Sequence, residues 1–152
     1  MKASSLSYVS FGTLVICILL IVTGSPILTM PVVKESAFPF GTLISWIGLI
    51  ALTTSVYFAF RKITGSDSSS HTIFRFAFKS IVILAALWGI IGFLLAGNWA
   101  FTFQNHEEFR GSIEASKYFW TFTAALVFIP VLLILIFWFV FLVWKLMKKI
   151  NY

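Results

Sequence analysis

The sequence predicts an all-α membrane protein, a bundle of four transmembrane helices, from three observations. The chain is 60% hydrophobic and only 11% charged, a composition far from that of soluble globular domains. Residues 118–144 contain no Asp, Glu, Lys, Arg or His, and at about 1.5 Å per residue they exceed the ~30 Å hydrocarbon core of a bilayer. Three further apolar runs come before this one. Because lipid offers no hydrogen-bond partners, each run must close its backbone hydrogen bonds as a helix.

The predicted helices cover residues 8–30, 40–60, 73–96 and 118–144 of a single integral membrane domain. The first has the position of a signal peptide. Its apolar character continues beyond Pro26, however, and no Ala-x-Ala-like site precedes a polar segment, which favours a retained helix over a cleaved one. Pro26 and Pro31 are expected to kink or end this helix, because proline lacks the N–H and crowds the preceding turn. Pro130 is expected to kink the fourth helix.

The connections differ in character. Residues 64–71 are rich in glycine and serine and are expected to form a flexible loop. In the longest connection, Asn105 and Glu108 have the spacing of a helix-capping pair, and Phe109 and Ile113 would then share a helix face. This pattern predicts a short amphipathic segment at the extracytoplasmic membrane surface. Three aromatic residues ahead of it are expected in the interfacial aromatic belt: Trp99, Phe101 and Phe103.

Basic residues fall mostly on one side of the predicted bundle. With a cytoplasmic N-terminus, that side carries Lys2 and seven residues that we call the basic edge: Arg61, Lys62, Arg75, Lys79, Lys145, Lys148 and Lys149. The far side carries only Lys34, Arg110 and Lys117. The positive-inside rule therefore predicts that both termini are cytoplasmic. Arg75 and Lys79 are four residues apart near a helix end, which fits interfacial snorkelling better than a buried ion site.

Small residues recur at helical spacing on the second and third predicted helices. They are Gly41, Ser45, Gly48, Ser55 and Ala59, followed by Ala85, Gly89, Gly92 and Ala96. In lipid, such faces let helix backbones approach closely. Packing within the bundle is the preferred interpretation, and a homo-oligomeric seam is the alternative. The first helix offers a comparable face, whereas the fourth has few small residues and is expected to face lipid or bridge subunits.

No catalytic, cofactor or metal site is predicted. His71 and His106 lie in loops on opposite sides of the membrane and cannot share a metal ion within one chain. The predicted spans contain no Asp, Glu or His for a proton relay or haem ligation, and Cys17 has no second cysteine to pair with. Hydroxyl side chains such as Thr53 are expected to bond helix carbonyls rather than act as nucleophiles. We therefore expect no enzymatic activity.

Three functions fit this architecture. The first is an interaction protein, which serves a cytoplasmic or membrane partner as an anchor, sensor or regulatory subunit and uses the basic edge against anionic lipid or an acidic surface. The second is an oligomeric pore bordered by hydroxyls of Thr42, Ser45 and Ser55. The third is an accessory subunit of a membrane enzyme complex that handles lipid or quinone. We prefer the first.

The expected partners are membrane lipids, further copies of the chain, and a protein. Direct nucleic-acid binding is not expected, because the basic residues lie at helix ends and not on one groove. The small size and the absence of an Asn-x-Ser/Thr sequon favour a multi-pass protein of the bacterial inner membrane. Small multi-span proteins of toxin immunity or phage defence share this architecture, which is an analogy of fold and not of residues.

Overall fold

The four predicted helices are present in the computed structural model, which describes residues 3–33, 38–64, 69–101, 103 and 109–150. They are α1 (Ala3–Val22), α2 (Phe40–Thr64), α3 (Ser69–Ala96) and α4 (Ile113–Ile150). Each contains an apolar span long enough to cross a membrane. The described residues contain no β-strand, only one isolated bridge between Pro31 and Pro39. The all-helical, four-span architecture predicted from the sequence is therefore confirmed.

Helix α2 lies at the centre of the bundle. It packs against α1, α3 and α4, and α3 also packs against α4. Consecutive helices are antiparallel: in the α3–α4 pair, Phe74 contacts Phe137, while Trp88 bonds Thr123 earlier in α4. With four such spans, the start of α1 and the end of α4 lie at the same end of the bundle. The ends of α2, α3 and α4 that carry the basic edge lie there too.

Helix α1 ends at Val22, eight residues before the predicted Met30. Gly24 has a φ of 60°, a left-handed conformation that glycine adopts without steric cost and that terminates helices. Pro26 then starts a 3-10 turn, Pro26–Thr29, where the missing N–H of proline removes no hydrogen bond. The turn inserts Leu28 into the interior. The remaining connection folds back on itself, with the Val32 amide donating to the Phe38 carbonyl at 2.8 Å.

The other helices extend beyond their predicted apolar cores. Helix α2 continues to Thr64, α3 begins at Ser69 within the predicted flexible loop, and α4 continues to Ile150. Pro130 is buried and lies inside α4, whose helical backbone continues through it. Hydropathy marks the part of a helix inside the lipid, whereas the backbone hydrogen bonds continue into the polar flanks.

The amphipathic segment predicted between α3 and α4 falls largely outside the described residues. Asn105 and Glu108 lie outside the described residues, Phe109 has a non-helical backbone, and α4 begins only at Ile113. Phe101, which we expected in the interfacial aromatic belt, is instead only 6% exposed. Its ring fits the space left by Gly92, where a Cβ would overlap it. Phe101, in the described part of this connection, therefore packs into the bundle.

Candidate functional site

Small residues bring α1 and α2 together. Gly48 faces Cys17 so closely that an added Cβ would lie 3.2 Å from the Cys17 Cβ. Toward the basic edge, the Ser55 hydroxyl donates to the Ser10 hydroxyl at 3.1 Å, and the Ser10 hydroxyl donates to the Ala51 carbonyl at 3.0 Å. The contact combines close backbone approach with polar bonds between helices, the two main sources of helix association in lipid.

Glycines of α3 leave space that aromatic rings fill. A Cβ at Gly89 would overlap the ring of Trp46, whose indole N–H donates to the Ala86 carbonyl at 3.0 Å. Gly92, one turn later, accommodates the rings of Phe101 and Phe119. Aromatic side chains rather than a second helix backbone therefore occupy this face of α3.

The nine small residues predicted to pack helices are mostly inside the chain. Six are buried: Gly41, Gly48, Ala85, Gly89, Gly92 and Ala96. Ser45 and Ser55 are half-buried, and Ala59 is exposed. Gly41, Gly48, Gly89 and Gly92 thus face side chains of the chain itself. A homo-oligomeric seam through the buried six would require the bundle to open.

The bond between Ser10 and Ser55 provides a first prediction. Hydrogen bonds between transmembrane helices average about 0.6 kcal/mol in double-mutant cycles. We expect Ser10→Ala and Ser55→Ala to show a coupling of about that size, measured from reversible unfolding of the single and double variants in mixed micelles. The pair Thr54→Ala and Ser55→Ala is the control, because no Thr54–Ser55 bond is present. Strictly additive losses for Ser10 and Ser55 would contradict the contact.

Aromatic residues close the end of the bundle opposite the basic edge. We call Trp99, Phe101, Phe103 and Phe109 the aromatic cap. The Phe101 ring lies 5.5 Å from buried Trp88 and 5.0 Å from buried Phe119, and Phe109 also contacts Phe119. Trp99 stacks on Phe93, and its backbone carbonyl accepts the Thr42 hydroxyl at 3.0 Å.

Sequence analysis missed this cap. Alternating aromatic residues next to a span fit the membrane interface equally well. A signal for it was the pair of glycines, Gly89 and Gly92, one turn apart on the third predicted helix. Such glycines can receive a ring as well as a backbone.

A cleft lies between α1 and α4, helices that do not form a packed pair of their own. Its volume is about 460 Å³, and α2 forms its floor. Ile18 of α1 and Trp120 of α4 stand on either side, Trp88 lies deeper, and Phe103 of the aromatic cap narrows one end. Because α1 does not pack on α4, it is the most exposed of the four spans. The buried share of residues is 11% for Ser5–Val22 in α1 and 17% for Ile113–Val143 in α4. The sequence predicts that α4 faces lipid or bridges subunits, and α1 is the more exposed of these two helices.

An aromatic cluster joins α2, α3 and α4 at the end of the bundle that carries the basic edge. Phe60 of α2 contacts Phe78 of α3 at 4.8 Å and Phe137 of α4 at 5.0 Å between ring centroids. These contacts pack α2, α3 and α4 together at the end of the bundle where the basic residues of the sequence lie. Arg61 directly follows Phe60, whereas Lys145, Lys148 and Lys149 follow Phe137 by eight to twelve residues. Arg75 is half-buried and Lys79 is exposed. For the other five, the helix backbone is described and the side chains are not: Arg61, Lys62, Lys145, Lys148 and Lys149.

Polar groups inside the bundle serve structure. The Thr53 hydroxyl donates to the Leu49 carbonyl at 3.0 Å, as expected for a helix hydroxyl. Buried Asn98 caps its own turn, with its side-chain oxygen accepting from the Ala100 amide at 2.8 Å. Among the described residues, no three His, Cys, Asp or Glu side chains come together as a metal site. His106 lies outside those residues, as does the side chain of His71.

Comparisons with protein-family models, with curated proteins and with solved structures find no match to this chain.

Proposed function

We propose that this chain is a non-enzymatic, multi-pass membrane protein that serves a partner protein as an anchor, sensor or regulatory subunit. The observation that carries the proposal is the Phe60–Phe78–Phe137 cluster, which packs α2, α3 and α4 together at the end of the bundle where the sequence places seven basic residues. Each Lys or Arg near an anionic surface contributes about 1 kcal/mol of attraction. Seven basic residues at one end therefore favour binding to anionic lipid or to an acidic partner surface.

The bonding of the hydroxyl groups favours an interaction protein over a pore. Thr42 is fully buried and donates to the Trp99 carbonyl, and Ser55 donates to Ser10. A water path along these residues would have to break both bonds and displace α1. Ser45, the third hydroxyl proposed to border a pore, lines the cleft between α1 and α4, and that cleft is otherwise almost entirely apolar.

Location and assembly complete the proposal. The excess of basic residues at one end favours a cytoplasmic basic edge and cytoplasmic termini, in a bacterial inner membrane. Self-association would use the exposed faces of α1 and α4, because most of the small residues are already covered. A partner encoded beside this chain, as in immunity or phage-defence systems, would contact the basic edge from the cytoplasm or beside it in the membrane.

Photo-crosslinking at the basic edge tests the proposal. A photoreactive residue at Met147, in cells that express the neighbouring genes, is expected to give a discrete protein adduct. Replacing Lys145, Lys148 and Lys149 with glutamine removes about 3 kcal/mol of attraction, so the adduct yield should fall on the order of 100-fold.

The control places the same photoreactive residue at Tyr118, which is exposed near the opposite end.

Reporter fusions at Ser68 and Glu108 should report opposite sides of the membrane, with Ser68 cytoplasmic. The absence of any adduct at Met147, together with ion conductance of the purified chain in proteoliposomes, would favour the pore instead.

A further inference from the structure

The cleft between α1 and α4 has no role in the function proposed above. Its volume of about 460 Å³ lies within the ~300–1,000 Å³ of typical small-molecule sites. Its lining is apolar apart from Cys17, Ser45 and Thr123, and the Thr123 hydroxyl already accepts the Trp88 indole N–H and donates to the Phe119 carbonyl. We propose that this cleft binds one hydrocarbon chain of an anionic phospholipid, whose phosphate is held by Lys117.

The size of the cleft selects a single flexible chain over a partner helix. A helix about 10 Å across that rises 1.5 Å per residue fills on the order of 120 Å³ per residue. The cleft would therefore hold only about one turn of helix, far less than a membrane span. A hydrocarbon chain is thin enough to fill it and is present at high concentration on the open side of the cleft.

The route of entry follows from the walls. Phe103 lines the cleft at the aromatic cap, where its ring lies over Gly41 and narrows that end. The side between α1 and α4 is open, because these helices do not pack on each other. The occupant therefore enters sideways from the surrounding lipid.

The headgroup position follows from α4. Trp120 lines the cleft and is 50% exposed, as expected for a tryptophan at the membrane interface. Lys117 is exposed and precedes Trp120 by three residues, so it lies on the same side of the helix and one turn nearer the capped end. A chain lying in the cleft thus brings its phosphate to a cation, and this charge match selects an anionic lipid over a neutral one.

Cys17 makes the proposal testable, because it is the sole cysteine and lines the cleft. The full-length protein in detergent is labelled with N-ethylmaleimide, with and without palmitoyl-oleoyl phosphatidylglycerol. At a lipid concentration about ten times its Kd, labelling should slow about tenfold, because only the unoccupied fraction reacts. The control variant combines Cys17→Ser with Ile16→Cys. Its single thiol is on the lipid-facing side of α1 and should label at the same rate with or without lipid.

Phosphatidylcholine with the same chains should protect Cys17 less, and Lys117→Gln should remove the difference between the two lipids. Equal protection by both lipids in the unmodified protein would overturn the selection of an anionic lipid over a neutral one, and equal protection of the unmodified protein and Lys117→Gln by phosphatidylglycerol would overturn the contact with Lys117. Native mass spectrometry gives a second readout. Ile18→Trp fills the cleft and should carry one fewer phosphatidylglycerol than Ile16→Trp. Ile16 borders neither this cleft nor a separate groove that Ser10 lines between α1 and α2. Equal lipid counts in these two variants, or no protection of Cys17, would overturn the site.

Discussion

Gly89→Leu is expected to destabilise the bundle by about 3 kcal/mol, at the upper end of overpacking effects. A Cβ at this position would overlap the ring of Trp46. That ring cannot easily move aside, because its N–H bonds the Ala86 carbonyl and its face stacks on Trp99. The leucine would force α2 away from α3 and disturb the contact of Trp46 with Trp99 of the aromatic cap. The fraction of monodisperse protein that remains after heating in detergent, read by size-exclusion chromatography, measures the shift in Tm.

Gly12→Leu is the matched control for this prediction. An added Cβ at Gly12 meets nothing within 4 Å, because the residue faces away from α2. Removing a glycine from a helix interior favours the helix by about 0.5–1 kcal/mol, so this variant should be as stable as the unmodified chain or slightly more so. Equal stability of the Gly89 and Gly12 variants would show that α2 and α3 do not pack through Trp46.

The spans could be predicted because the length and composition of an apolar run can be read directly from the sequence. Bilayer thickness sets the length of the apolar run, and the need to satisfy backbone hydrogen bonds in lipid makes that run a helix. The ends were less predictable. Helix α1 ends at Val22 because Gly24 takes a left-handed conformation, although the residues after it are still apolar. Hydropathy alone does not distinguish an apolar helix from the apolar turn that follows it.

The candidate sites depended on contacts that no local pattern contains. The burial of Phe101 requires Gly92 to face the cap and Trp88 to lie beside it. The cleft exists because α1 packs on α2 alone, and a sequence in which every helix is apolar does not say which pairs remain apart. The basic edge stays a prediction, and it rests on the sequence alone because charge at the end of a span indicates the membrane surface.

Trp88→Ala should cost about 2–4 kcal/mol in the free energy of unfolding. Trp88 is 1% exposed and touches Phe101 and Phe119, so truncation leaves a cavity at the junction of α3, α4 and the aromatic cap. In water-soluble proteins, Phe or Trp to Ala costs about 3–5 kcal/mol. Part of that cost is transfer of apolar surface from water, which is weaker for a helix surrounded by lipid, and the loss of packing remains. Reversible unfolding in mixed micelles measures the change.

Two further substitutions separate the physical contributions to that loss. Trp88→Phe keeps most of the ring but removes the N–H that donates to Thr123 at 2.8 Å, and it should cost about 0.6 kcal/mol for the hydrogen bond plus a smaller packing loss. Trp138→Ala is the control for tryptophan itself, because Trp138 is 46% exposed and its side chain can be replaced by lipid. It should change stability by less than about 0.5 kcal/mol. If Trp138→Ala costs as much as Trp88→Ala, stability comes from anchoring tryptophans at lipid contacts, and the interior junction around Trp88 contributes no more than the surface.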